Sequence, residues 1–399
     1  MMTKLCLLLR LVKALLVFIS FLYPLHSFAN QSLEVSGFAT WALTKSDNAT
    51  PWYVNREITD DTCYNCDSIW GVQLDYQALD SVRLSGQVVK RPEDSWNKPE
   101  VEWAYAAYSP TDNLDIRIGK LRLPLFLMSD YYYVGNAFPW IRPVPEVYNR
   151  QLGITASEGI DFIYNWYISD EYTLTIHPYY GGKKEATIDS IDTIIDIESD
   201  YKYGIAFDLS TEKLRLHINY FEVKGTELLY TTKQTSRPIS TDTFGIYKNT
   251  ALGLTYELPF NLEFWAEYQA DESKIAESTT QYAALTWHFH NFTPYIIYSE
   301  EKIINTSNEP PSNYIQGKKY DVSDTQTLGL KYDLPKNISL NLEYSLSASH
   351  ELPPIDSFSK PPKGVFVTSY WAFNSTTNQW DQIEDNKAHI WTLAINWNF

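Results

Sequence analysis

The stretch that decides the fold is the last one, His389–Phe399, "HIWTLAINWNF". Counting back from the end, alternate positions are Phe399, Trp397, Ile395, Leu393 and Trp391, all large and apolar. Between them lie Asn398, Asn396, Ala394, Thr392 and Ile390. A period of two, with one apolar and one mostly polar face, describes a β-strand whose two sides meet different surroundings. Terminal residues of soluble chains are usually frayed and polar, whereas this strand runs to its last residue on an aromatic ring.

The pattern recurs through the chain. "LDIRIG" sets Leu114, Ile116 and Ile118 against Asp115, Arg117 and Gly119; "LRLHINY" sets Leu214, Leu216, Ile218 and Tyr220 against Arg215, His217 and Asn219. "LEFWAEYQ" and "ISLNLEYSL" alternate in the same way from Leu262 and Ile338. Tight-turn chemistry punctuates the strands at 78–81, 110–113, 169–171, 211–213, 259–261, 290–291 and 335–337. Longer segments alternate with these turns: 44–67, 91–100, 122–159, 181–200, 225–249, 272–279, 303–324 and 349–386. Seven turns and eight loops separate sixteen strands. The fold class expected is all-β and antiparallel.

The opposite end sets the destination. Residues 1–29, "MMTKLCLLLRLVKALLVFISFLYPLHSFA", carry Lys4, Arg10 and Lys13, no acid, an apolar run from Ala14 to Tyr23, and small Ser27 and Ala29 at the cleavage positions. This reads as a secretory signal peptide cut after Ala29, leaving 30–399 as a single domain. The apolar run is shorter than the ~20 residues of a spanning helix, and no later stretch reaches that length, so insertion into a membrane would be by strands. Removing the three basic residues of the leader takes the formal net charge from −17 to −20, which disfavours nucleic acid as a partner. Cys6 leaves with the leader, and Cys63 and Cys66 in "CYNC" then read as a disulfide closing a small loop. With no second CxxC and no neighbouring His, a metal or redox role is disfavoured.

Amphipathic strands also build soluble sandwiches. Three features oppose that here. The strands run to ~9–11 residues, the length a tilted membrane strand needs. Short turns alternate strictly with long loops. Aromatics, among them Trp166, Tyr220, Tyr256, Tyr268, Tyr344 and Trp397, sit near the ends of the apolar faces, as interfacial rings do. Lipid leaves no partner for an unpaired backbone group, so the sheet must close. Sixteen strands then enclose a lumen too wide for side chains alone to fill.

With these features in place the chain resembles the Gram-negative general porin family over its whole mature length, most specifically in the terminal "LAINWNF". The resemblance implies a transmembrane antiparallel β-barrel in the outer membrane, a homotrimer embedded in outer-membrane lipid, and passage of small hydrophilic solutes and ions. It also implies that Trp397 and Phe399 are read by the outer-membrane assembly machinery. Neither catalysis nor a cofactor is expected: there is no GxSxG, HExxH or phosphate-cradling Gly loop, and His288 and His290 in "HFHN" are too few for a zinc site.

The family also folds its third loop into the pore. Here that loop, Arg122 to Gly159, is rich in aromatics, and Pro139, Pro143 and Pro145 stiffen it. A loop this apolar needs a cavity to enter. Its candidates for lining the constriction are Asp130, Tyr131, Tyr132, Tyr133, Trp140, Arg142, Glu146 and Arg150; alternatively Arg142 and Glu146 pair with each other or with the wall and hold the loop down. Arg83, Glu102 and Arg117 face the lumen by alternation, with Arg83 and Arg117 as candidates for a basic wall opposite the loop's acids. A substrate-specific channel, for sugars or another small nutrient, and a structural or adhesin barrel are the alternatives to a passive pore.

Overall fold

The computed structural model describes residues 33–399 apart from 50–51, 54–55, 57, 92–97, 149–154, 183, 190–192, 233–236, 243–244, 274–275, 307–319, 351–368, 375–378 and 385. The leader (1–29) and Arg150 lie outside the described residues. The strands are β1 (Leu33–Ser46), β2 (Ile69–Leu79), β3 (Val82–Lys90), β4 (Glu100–Thr111), β5 (Leu114–Arg122), β6 (Ala156–Tyr167), β7 (Thr173–Gly181), β8 (Lys184–Asp189), β9 (Thr193–Ser210) and β10 (Leu214–Thr232). They continue as β11 (Arg237–Asp242), β12 (Gly245–Leu258), β13 (Leu262–Glu272), β14 (Ala276–Trp287), β15 (Phe292–Thr306), β16 (Tyr320–Leu334), β17 (Ile338–Ser349), β18 (Ser369–Asn374), β19 (Gln379–Glu384) and β20 (Lys387–Asn398).

Sixteen of these make a closed wall, every pairing antiparallel: β1–β7, β9, β10, β12–β17 and β20. Closure is made by β1, which pairs with β2 on one side and β20 on the other, with Leu43 opposite Leu393 and Phe38 opposite Asn398. The N–H and C=O of Phe399 both pair with Gly37, at 3.0 and 2.9 Å. The terminal aromatic is therefore the last rung of the seam.

The wall is inverted relative to a soluble sheet. On β20 the exposed side chains are Trp391 (46 %), Leu393 (45 %) and Ile395 (40 %), while Thr392, Ala394 and Asn396 are buried inside. The exposed outer face continues through Leu74, Leu84, Ile118, Ile218, Leu252, Ile296, Leu328 and Leu342. Water would not tolerate a continuous apolar belt of this extent, whereas hydrocarbon would. Trp166, Tyr256 and Tyr268 are exposed at the ends of the belt.

All seven turns read from the sequence connect neighbouring strands, at 80–81, 112–113, 168–172, 211–213, 259–261, 288–291 and 335–337. Two are built on consecutive positive φ values, Phe260–Asn261 (67° and 59°) and Lys336–Asn337 (67° and 55°), which match the twist of a hairpin. The opposite side departs from expectation. The loop expected over 272–279 shrinks to 273–275, because β13 and β14 keep pairing to Glu272–Glu277. The loops expected over 181–200 and 225–249 are largely ladder: β8 pairs with the start of β9, and β11 with the end of β10. A strand beyond the belt meets water on both sides, so it has no apolar face for the period to show. Cys63 and Cys66 are joined, and Cys63 also bridges to Thr44 on β1.

Candidate functional site

The third loop, 123–155, enters the lumen and is buried for most of its described length. At its root Glu102 takes the guanidinium groups of Arg91 (2.8 Å) and Arg122. Arg122 also donates to the Ser129 carbonyl, and the Tyr132 and Tyr133 rings face its guanidinium at 5.4 and 5.2 Å. Glu102, Tyr132 and Tyr133 are thus buried structural groups at the loop's base, away from any open aperture.

The apex reaches the short-turn end of the barrel. Asn136 donates to the Asn337 carbonyl (2.9 Å), and its own carbonyl accepts from Lys331 (3.1 Å). Gly135 passes so close to the seam that a Cβ there would meet Asn396 Oδ1 at 2.5 Å and Thr40 Oγ1 at 2.7 Å. The returning limb is fixed to β13–β17. Asn341 donates to the Pro139 carbonyl (2.8 Å). Trp140 is wholly buried, edge-on to Trp265, Tyr282 and Tyr295, with centroids 5.2, 6.0 and 6.4 Å away.

Two carboxylate anchors finish the attachment. Arg142 donates to both oxygens of Asp67 at 3.0 Å, lies 3.5 Å from Glu343, and donates to Thr392. Asp67 also receives Arg56 at 2.9 Å. Burial pushes the Asp67 carboxyl upward, but Arg142 and Arg56 override it and hold Asp67 below the usual range. Glu146, on the helical turn Pro145–Tyr148, accepts from Ser299 (2.8 Å) and Thr325, with no cation in contact among the described residues. Burial raises its carboxyl above the usual value. Tyr148 donates to Glu267, which also accepts the Leu127 N–H at 2.8 Å. Arg142 and Glu146 therefore hold the loop against the wall, each with its own partners and not with each other.

This packing fills the side of the lumen bounded by β12–β17, β20 and β1. Opposite it, the inner face of β2–β7, β9 and β10 presents charged side chains to Asp130 and Tyr131. Arg83 reaches Asp75 (3.3 Å), Arg117 Nε reaches Asp161 (2.9 Å), and Arg215 reaches Asp208 (3.1 Å). His177 Nε2 sits 2.9 Å from Asp161, and His217 Nδ1 sits 3.1 Å from Asp208. The Tyr105 ring lies 5.9 Å from the Arg83 guanidinium and 5.1 Å from that of Arg117. Arg215 donates to the Tyr131 hydroxyl (3.3 Å). The side chains of Arg83 and Arg215 are 38 and 33 % exposed, and Asp130 is exposed on the loop. Each of these arginines is tied to an acid within the wall, so the wall is a row of ion pairs and not a basic surface.

Of the residues singled out from the sequence, Arg83, Arg117, Asp130 and Tyr131 gather around this crescent. Glu102, Tyr132, Tyr133, Trp140, Arg142 and Glu146 build the loop's attachment. Asp67, His177 and the partners Glu267 and Glu343 were not picked out as site residues. Alternation places Glu267 and Glu343 inward, whereas nothing local in "CDSIW" marks Asp67 as a partner of Arg142.

No family model matches the chain, and no curated protein matches it. Solved structures do. An outer membrane protein OmpT of Vibrio cholerae, in a form described as a trimer, is 12 % identical with a TM-score of 0.58, over 92 % of this chain and 99 % of that one. An anion-selective porin from Comamonas acidovorans is 10 % identical with a TM-score of 0.56, over 92 % and 99 %. OmpF of Salmonella typhi is 14 % identical with a TM-score of 0.53, over 92 % and 97 %. The chain has the fold of the sixteen-stranded outer-membrane porins, and at these identities the likeness is one of fold.

Proposed function

We propose that the protein is an outer-membrane channel through which small hydrophilic solutes and ions diffuse passively. The observation that carries this is the one-sided seating of the third loop: it packs on β12–β17 and the seam and leaves the charged face of β2–β10 opposite Asp130 and Tyr131. A barrel serving only as a scaffold has no need of a loop held at both limbs by buried carboxylates. On this reading the leader is cleaved after Ala29, the wall sits in outer-membrane lipid as a homotrimer, and the terminal Trp397 and Phe399 direct assembly. The protein is not an enzyme. Purified protein added to planar bilayers should give discrete conductance steps that scale with bulk salt; a barrel that inserts without conducting would refute the reading.

One observation favours selectivity on top of diffusion. The guanidinium groups of Arg83 and Arg117 are oriented by the same Tyr105 ring and by their own acids, a pre-organised arrangement of donors and aromatic surface. Block of ion current by sugars or by small carboxylates would show which solutes engage it.

A further inference from the structure

Behind the returning limb of the third loop, the inner face of β12–β14 carries a group of polar side chains that the channel reading does not use. Asn249 on β12 stands directly opposite Asp271 on β13, and Gln269, two residues along β13 on the same face, stands opposite Thr280 on β14. All four are at least nine-tenths buried. Asn249 Nδ2 donates to Asp271 Oδ1 at 2.8 Å, and the Tyr247 hydroxyl donates to the same oxygen. That leaves Asn249 Oδ1, Asp271 Oδ2, Gln269 Oε1 and Thr280 Oγ1 without a partner among the described residues.

Buried polar atoms are seldom left unpaired, since each costs about 1–3 kcal/mol when it is. Asn249 and Asp271 are directly opposed, with Cβ atoms about 5 Å apart across the ladder, and Gln269 lies two residues from Asp271 on the same face, so these three oxygens can reach one shared partner, with Thr280 at its far side. All four are oxygens, one from a carboxylate that makes no ion pair. Carboxylate, amide and hydroxyl oxygens together are the ligand chemistry of a hard cation. Glu301, opposite Thr280 on β15, and Glu267, opposite Tyr282 on β14, add acids to the same face; Lys202 on β9 and Arg215, which is bound to Asp208, are its cations among the described residues. The unpartnered donors Asn219 Nδ2 and Gln269 Nε2 cannot ligate a metal, but they can donate to water in its shell.

We propose that Asn249, Gln269 and Asp271 form an internal Ca²⁺ site, with Thr280 holding a water of the ion's shell. Ca²⁺ fits better than Mg²⁺, because oxygens drawn from two strands of a twisted wall suit a flexible coordination number and not a strict octahedron. Bound there, the ion ties β13, which carries Trp265 and Glu267 beneath the loop's Trp140 and Tyr148, to its neighbours.

The test uses the mature chain refolded in detergent free of lipopolysaccharide, with Ca²⁺ itself as the probe. Native mass spectrometry should retain Ca²⁺ on the wild type, and Ca²⁺ should raise the unfolding temperature by a few degrees over EDTA. Asp271→Asn and Gln269→Leu should lose both signals. Glu300→Gln, on the outer face, should keep them and so exclude adventitious surface binding. Should Asp271→Asn fail to refold, Gln269→Leu and Asn249→Leu decide the matter. A wild type that retains no Ca²⁺ and shows no shift, or a shift undiminished in the variants, would overturn the site and assign these atoms to water alone. Neither readout depends on conduction, so the channel reading stands or falls separately.

Discussion

Arg142→Met tests whether the third loop is held by its buried charges. The substitution keeps the unbranched apolar stem and removes the guanidinium. Asp67 then retains Arg56 at 2.9 Å, but Glu343 loses the cation 3.5 Å away and keeps, among the described residues, the Tyr295 hydroxyl (2.9 Å) and the Ile141 N–H (3.2 Å). Removing one member of a buried pair typically costs about 3–5 kcal/mol, because the other charge stays buried without compensation. If that cost falls on loop seating, the detached population rises roughly 10²- to 10⁴-fold. In single-channel records the variant should show frequent transitions between conductance levels where the wild type holds one. Asp67→Asn in the same background should cost less than the sum of the two single changes, since each removes part of the same imbalance. The pH dependence has a definite sign. Asp67 is held below the ordinary carboxylate value of about 3.9, so the anchor's contribution is present above that pH and lost as pH falls through the lower folded value. Arg142→Met should weaken this acid tolerance. Quiet, wild-type records from the variant at neutral pH would refute the anchoring argument.

Three further outcomes follow from the same contacts. Arg117→Ala leaves Asp161 with His177 beside it among the described residues, so the wall gains negative character; the reversal potential across a salt gradient should move toward cations, most at low salt, and no movement would mean that Arg117 does not border the conduit. Burial raises the Glu146 carboxyl, so the unfolded chain gives up its proton near about 4.3 while the folded one keeps it, and stability falls as pH rises between the two values; Glu146→Gln should flatten that decline in unfolding temperature, and an unchanged profile would count against it. Phe399→Asp puts a charge on the outer face beside Trp397 and Gly37, and the amount of heat-modifiable protein in the membrane fraction should drop sharply; normal levels would argue against the terminal rung as an assembly determinant.

Strand alternation and turn chemistry made the wall legible because both report a local constraint. "PFN" at 259–261 and "PKN" at 335–337 need positive φ, and Leu340 or Trp397 must face hydrocarbon. Where that constraint ends, so does the signal: Thr193–Asp196 pairs on in water, and residues there need not alternate. The loop's entry into the lumen could be read from its aromatic content. Its seating could not, since an irregular loop has no period to orient Arg142 or Glu146, and their partners Asp67, Ser299 and Thr325 come from elsewhere in the chain. Alternation puts Arg83 and Arg117 on the inner face, but which cross-strand acids pair with them is visible only once the register is known.

The third loop's partners also order events in time. Arg142 reaches Thr392, 250 residues later, and Asn136 reaches Asn337, 201 residues later. These are among the most distant contacts in the chain, and contacts of such separation form slowly. The loop is made from the first half of the polypeptide, yet many of the groups that hold its apex and returning limb, among them Glu267, Ser299, Thr325, Asn341 and Thr392, belong to strands made later. Gly135 lies against Thr40 and Asn396, one on each side of the seam. Closing the seam and seating the loop's apex therefore share one set of contacts. A loop that leaves its seat therefore takes packing from the junction that closes the barrel, and seating and closure are coupled.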